Sequence, residues 1–276
     1  MNLLLLLVAL SFSEAVPLQG AAECQPQSRP WHVRLGRSCS GALVDPRWIV
    51  TSFACAPLSS NITASLGDHD VSVAEGTEQH IDTDLTVLHS PYRSPFHSLA
   101  MVRLAKPARF NQYVQPIPLP SRCPQPGETC RVSGWGSTVP NQDESPKRLK
   151  CISVPVVDDR TCRELFPMHW SHGMVCAGQV DGTNCLDDRG AVMECGGQLQ
   201  GVQWYSFGCS NPPDPSTYSR ICQYTRWMRD VMRNNSPTSA PTTPHPPTPH
   251  STLPPTTPPS SVKEGAEGVQ PVQGAL

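Results

Sequence analysis

Twelve cysteines lie between Cys24 and Cys222, and none falls outside that span. An even set at this density reads as a disulfide framework made in an oxidising compartment, which confines the chain to a compact, cross-linked fold. Metal binding is the competing use of cysteine. No two of these cysteines stand in a Cys-x-x-Cys pair, so the ligand spacing of a zinc cluster is missing. The start of the chain agrees with export. Leu3 to Leu10 is a leucine-rich core, and Ser13-Glu14-Ala15 follows as a small-x-small cleavage pattern. Residues 1–15 therefore read as a signal peptide with Val16 as the mature terminus, and residues 16–23 as a short segment before the first cysteine. No other run is long and apolar enough to span a bilayer, so no membrane anchor is expected.

The composition changes near Asn235. Residues 236–261 hold ten Pro and twelve Ser or Thr, with no formal charge and one large apolar side chain, Leu253. Such a segment buries too little surface to offset its ordering entropy. Residues 236–276 are thus expected to be a disordered tail, either an O-glycosylated stalk or a bare one. The last residues, 262–276, lack the hydrophobic run of a lipid-anchor signal. A formal net charge of −2 implies no nucleic-acid partner.

Residues 24–235 remain as the folded part. Short β-rich runs broken by Pro and Gly recur along it: Trp31-Leu35, Gly41-Val50, Leu85-His89, Leu99-Leu104, Cys130-Trp135, Cys151-Val156 and Leu199-Trp204. Regularly spaced short strands predict an all-β barrel or sandwich. Helical spacing appears only at the end, where Tyr224, Trp227, Met228 and Val231 predict one terminal helix.

Several of these segments resemble the trypsin/chymotrypsin family of serine proteases. Pro30-Trp31-His32-Val33 resembles its Pro-Trp-Gln-Val, and Trp48 to Cys55 resembles Trp-Val-Leu-Thr-Ala-Ala-His-Cys. Ser98 to Leu104 resembles Asp-Ile-Ala-Leu-Leu-Lys-Leu, and Val132-Ser133-Gly134-Trp135-Gly136 matches a family segment directly. Met174 to Gly178 and Tyr218 to Trp227 match later landmarks. Cys185 to Val192 resembles Cys-x-Gly-Asp-Ser-Gly-Gly-Pro, the segment around the nucleophile. The resemblance runs in order through the whole folded part. It implies two six-stranded antiparallel barrels packed side by side, a catalytic cleft between them and a C-terminal helix. Twelve cysteines allow about ten thousand pairings by spacing alone. The resemblance implies Cys24–Cys151, Cys39–Cys55, Cys123–Cys222, Cys130–Cys195, Cys162–Cys176 and Cys185–Cys209.

A serine protease needs a nucleophile, a base beside it and a carboxylate that orients the base. The resemblance places Arg189 at the nucleophile position, Ala54 at the base and Ser98 at the orienting carboxylate. A guanidinium stays protonated and has no attacking lone pair, and alanine accepts no proton. The oxyanion-hole glycine is Asp187, the pocket base is Thr183, and the substrate-pairing Ser-Trp-Gly is Trp204-Tyr205-Ser206. Ser206 is expected to narrow the pocket mouth. Two groups are candidates to restore chemistry: His97 beside Ser98, and Ser52 two residues before Ala54. Family zymogens are cut after Arg or Lys, but none lies between Val16 and Cys24. In the family the freed amine pairs with an aspartate, here Asp188. Either Arg189 neutralises Asp188 or both are solvated on a loose loop.

The loop from Asp68 to Glu78 resembles the family's calcium loop. Asp68 and Glu78 match its carboxylates, Asp70 and Val73 its carbonyls, and Glu75 its water-bridging acid. Hard oxygen ligands on a turn suit Ca²⁺, and a solvated acidic loop is the alternative. No other cofactor is expected. Asn61-Ile62-Thr63 is a glycosylation sequon, and Asn234-Asn235-Ser236 is a second, weakened by Pro237. The expected function is that of a secreted, inactive protease homologue that binds an extracellular protein. The alternatives are an unorthodox hydrolase and a mucin-like tail carried on an inert scaffold.

Overall fold

The computed structural model describes residues 21–57, 62–89, 99–138, 146–178, 185–206, 209 and 215–235. The expected signal peptide, the tail, Asn61, His97, Ser98 and Thr183 lie outside these residues. In chain order the strands are β1 (Ala22–Glu23), β2 (His32–Leu35), β3 (Cys39–Asp45), β4 (Trp48–Ser52), β5 (Thr63–Leu66), β6 (Gln79–Leu88) and β7 (Leu99–Leu104). They continue with β8 (Thr129–Gly134), β9 (Lys150–Pro155), β10 (Met174–Ala177), β11 (Val192–Cys195), β12 (Gln198–Tyr205) and β13 (Ser216–Arg220). Two α-helices are described, α1 (Asp159–Leu165) and α2 (Thr225–Asn234).

Strands β2-β3-β4-β7-β6-β5 close into an antiparallel barrel. The second sheet has seven strands in the order β1-β9-β8-β11-β12-β13-β10. A single bridge between Val156 and Ala177 brings its β9 and β10 sides together. Apart from the short β1, its six strands thus form a second barrel-like sheet, and the all-β fold of two six-stranded barrels expected from the sequence is borne out.

Side-chain alternation explains how the halves pack. On β4, Ile49 enters the barrel core with Val33, Leu43 and Val102. Its neighbours Trp48 and Val50 point the other way, into a core shared with Val192, Leu199 and Val202 of the second sheet. All five residues of β4 are buried, and a strand covered on both faces shows consecutive apolar residues, here Trp48-Ile49-Val50, in place of alternation. The same alternation on β11 sends Val192 into the shared core and Met193 into the second sheet's own core. Six disulfides cross-link the scaffold: Cys24–Cys151, Cys39–Cys55, Cys123–Cys222, Cys130–Cys195, Cys162–Cys176 and Cys185–Cys209. No cysteine is free.

Two local readings need correction. The run Gly41-Val50 is two strands, because Pro46 sits in the turn between β3 and β4 and has no N–H to donate to a ladder. Helix α1 carries too few apolar residues to show a period. Its start is set by Asp158, whose carboxylate accepts from the amides of Arg160 and Thr161 at 3.1 and 3.0 Å. Helix α2 packs its buried Met228 and Val231 onto the shared core. Met228→Ala should lower unfolding free energy by about 2–5 kcal/mol, while Arg229→Ala on the exposed face stays within about 0.5 kcal/mol. Urea denaturation of the two variants checks this; equal effects would mean that α2 does not anchor the core.

Candidate functional site

The segment Cys185–Val192 is threaded between the barrel and the second sheet. The Ser40 amide donates to the Arg189 carbonyl at 2.9 Å, and the Gly190 amide to the Gln203 carbonyl at 2.9 Å. Cys55 Sγ lies 3.3 Å from the same Arg189 oxygen, which sets the short turn Phe53–Cys55, and with it exposed Ala54, next to Arg189. Gly190 has φ +84°, and a Cβ there would collide with the Ser40 carbonyl. The path of this segment thus requires glycine. The Arg189 side chain is exposed.

Asp188 turns inward and is 5% exposed. Its Oδ2 accepts from Ser40 Oγ at 2.6 Å and from the Trp135 amide at 2.7 Å. Ser40 Oγ lies 3.3 Å from His32 Nε2, and Ser133 Oγ lies 3.1 Å from His32 Nδ1. One assignment of protons satisfies the row: Ser133 donates to Nδ1, Nε2–H donates to Ser40, and Ser40 donates to Asp188. Trp135 meets the His32 ring edge-on, with centroids 4.9 Å apart. Neither expectation for Asp188 holds. Arg189 makes no ion pair with it among the described residues, and the loop is not loose, because a hydroxyl and an amide fill the place of a countercharge.

Burial pushes the Asp188 carboxyl up to about 7, against the hydrogen bonds from Ser40 and Trp135 that favour the ion. Burial, then the charge of Arg29, pulls His32 down to about 3, so its imidazole is neutral at pH 7. His32, Ser40 and Asp188 are a histidine, a serine and an aspartate in one row, but the hydroxyl sits in the middle. A triad needs the imidazole between nucleophile and carboxylate. Ser40 is also 1% exposed.

Asp187 faces the cleft. Its amide donates to the Ser137 carbonyl at 2.9 Å, so the nitrogen expected from the sequence at the oxyanion hole already has an acceptor. Gly136 permits this approach, since a Cβ there would collide with the Asp187 carbonyl. The Asp187 carboxylate accepts from Ser206 Oγ at 2.6 Å. Two residues that stand where the family has glycine are thereby tied to each other, and the tie crosses the pocket mouth. Two cavities adjoin here. One of about 250 Å³ is lined by Arg34, Arg37, Trp135, Asp187 and Arg189 among others. The other, of about 140 Å³, is lined by Asp187, Arg189, Gln203, Trp204, Tyr205 and Ser206. Ser52 is fully buried, and its hydroxyl has no partner in the structure.

In the acidic loop, carboxylate oxygens of Asp68, Glu75 and Glu78 come within 4.8 Å of one another. Glu75 accepts from the amides of His69 and Asp70 at 2.7 and 3.1 Å, and Glu78 accepts from the amide of Glu75 at 2.6 Å. Arg34 lies 3.4 Å from Asp68, whose carboxyl is pushed up by burial and pulled back by that guanidinium. The Asp70 carbonyl accepts from the Val73 amide at 3.2 Å, and Val73 itself is exposed. The three carboxylates converge as a hard-cation set requires; the Asp70 carbonyl is engaged in a turn.

Residues 18–228 match the family model described as Trypsin. The chain belongs to the trypsin family. It is 38% identical over 248 residues to human kallikrein-12, covering 85% of this chain and 99% of that one. It is 34% identical over 223 residues to trypsin-3 of Salmo salar, covering 78% and 93%. Its fold matches neuropsin, a serine protease of mouse brain, with a TM-score of 0.70 and 31% identity over 77% of this chain and 98% of that one. Within this trypsin-family domain, the polar row of Ser133, His32 and Ser40 was not singled out from sequence. The one visible signal is His32 in place of Gln at the start of β2.

The row makes the stability of the domain depend on pH through two groups. Asp188 binds its proton more tightly folded than unfolded, so its contribution is full below 3.8 and is lost as pH rises towards 7. His32 does the reverse, with a contribution that is full above 6.5 and is lost as pH falls towards 3. The two slopes oppose each other between 3.8 and 6.5. Asp188→Asn should therefore leave a protein whose melting temperature drops on acidification below 6.5 more steeply than the parent's. His32→Gln should leave one that loses stability as pH rises towards 7. Melts across this range decide it; parallel curves for parent and variants would remove the row as the cause.

Proposed function

We propose that this trypsin-family protein is secreted, is catalytically inactive and works by binding an extracellular protein. The observation that carries the reading is the pair of changes at the nucleophile segment. Arg189 stands exposed at the nucleophile position, and the Asp187 amide is hydrogen-bonded to Ser137 instead of facing a substrate oxygen. Electrostatic stabilisation of an oxyanion needs free, aimed donors. Ala54 beside Arg189 supplies no base. The six disulfides are consistent with an extracellular setting, and export through the residue 1–15 signal completes the reading. N-glycosylation at Asn61 and O-glycosylation of the tail belong to the same proposal.

The rival reading is a residual hydrolase, and the His32–Ser40–Asp188 row is the one observation in its favour. The buried hydroxyl and the order of the row speak against it. Incubation of the purified protein with a fluorophosphonate probe separates the two. No covalent labelling is expected at protein concentrations where an active relative labels fully, and stoichiometric labelling would overturn the inactive reading.

We also propose that Asp68, Glu75 and Glu78 hold a structural Ca²⁺. The ion would tie the loop together by neutralising three adjacent carboxylates, at a site where Arg34 competes for Asp68. Millimolar Ca²⁺ should raise the melting temperature, and Glu78→Gln should abolish the rise. An unchanged melting temperature in the parent protein would leave a solvated acidic loop.

A further inference from the structure

We propose that the cleft around Arg189 docks an extended acidic segment of a partner protein, gripped by Arg37 and Arg189. This rests on the binding role proposed above and names the chemistry of its partner.

The cleft holds two neighbouring arginines whose charge no carboxylate meets. Elsewhere Arg103, Arg122, Arg148 and Arg220 each meet a carboxylate. Arg37 and Arg189 are both exposed and line one cavity, and neither guanidinium has a hydrogen-bond or ion-pair partner among the described residues. Arg34 lines the same cavity, and its Nε is buried without an acceptor. The carboxylates nearby do not satisfy this charge. Asp187 takes the Ser206 hydroxyl, and Asp188 is buried under Ser40 and the Trp135 amide. The whole chain carries a formal net charge of −2, so the positive cleft is a local arrangement.

The shape favours an extended segment over a lone ion. The two cavities share Asp187 and Arg189, and the second presents the rings of Trp204 and Tyr205. An acidic peptide can pair carboxylates with the guanidinium forks and lay its backbone or an apolar side chain on those rings. Arginine suits this use, because its fork meets a carboxylate with two parallel hydrogen bonds.

The test uses the full mature chain and a fluorescein-labelled Glu-rich decapeptide, with Gln-rich and Lys-rich peptides of equal length, read by fluorescence anisotropy. Only the Glu-rich peptide should bind, and added salt should weaken it. Arg189→Glu and Arg37→Glu should each weaken binding by about tenfold or more, with unchanged melting temperatures, since both side chains are exposed. Arg229→Glu on the outer face of α2 should leave binding as it is. Absence of Glu-rich binding, or equal losses for Arg229→Glu and Arg189→Glu, would overturn the proposal. The tail carries Glu264 and Glu267. If the peptide binds only after residues 236–276 are removed, the occupant is the chain's own tail and the partner proposal falls. Fluorophosphonate labelling is scored in parallel. Labelling defeats the non-catalytic reading, whereas no labelling with no peptide binding defeats only the acidic-segment proposal.

Discussion

The carboxylate of Asp188 is buried between two sheets, and most of the site follows from how it is satisfied. A buried charge without partners is strongly unfavourable. Here a serine hydroxyl from β3 and a main-chain amide following β8 supply the contacts, and His32 from β2 holds that serine from behind. The aspartate therefore fastens the nucleophile segment to both halves of the domain. With Asp188 held, Asp187 and Arg189 on either side of it both line the cleft. One reaches Ser206 across the pocket, and the other projects into solvent.

Scaffold rigidity is kept by the closed barrel, the barrel-like second sheet, the shared apolar core and the cross-links. At the segment around Arg189 the side chains are either engaged internally, as Asp187 and Asp188 are, or charged and exposed, as Arg189 is. Function on a common scaffold is argued from such sites, and this one presents cationic forks beside aromatic rings.

Much of the fold was legible because strands buried on both faces leave consecutive apolar residues, as Trp48-Ile49-Val50 of β4 do. The boundary at Pro46 and the helix at Asp158 were harder to read: each depends on one residue in a short stretch. The α2 period was visible because Met228 and Val231 pack on the core. Arg189 and Asp187 could be placed from the order of the landmarks, but not their partners. Ser40, Ser133 and Ser137 are small polar residues whose meaning comes only from what the fold brings beside them. Ser40 and Asp188 are 148 positions apart, and no local pattern announces such a pair.

That separation also has a kinetic side. The Ser40–Asp188 contact closes only after strands from both ends of the domain have been assembled, and long-range closure of this kind is slow. Until then Asp188 is hydrated, ionised at neutral pH and opposed to entering an apolar interior. A half-built domain thus carries a charge at the place where its two sheets must meet. The residue that fastens the segment around Arg189 also discourages the sheets from docking before its partners are in place.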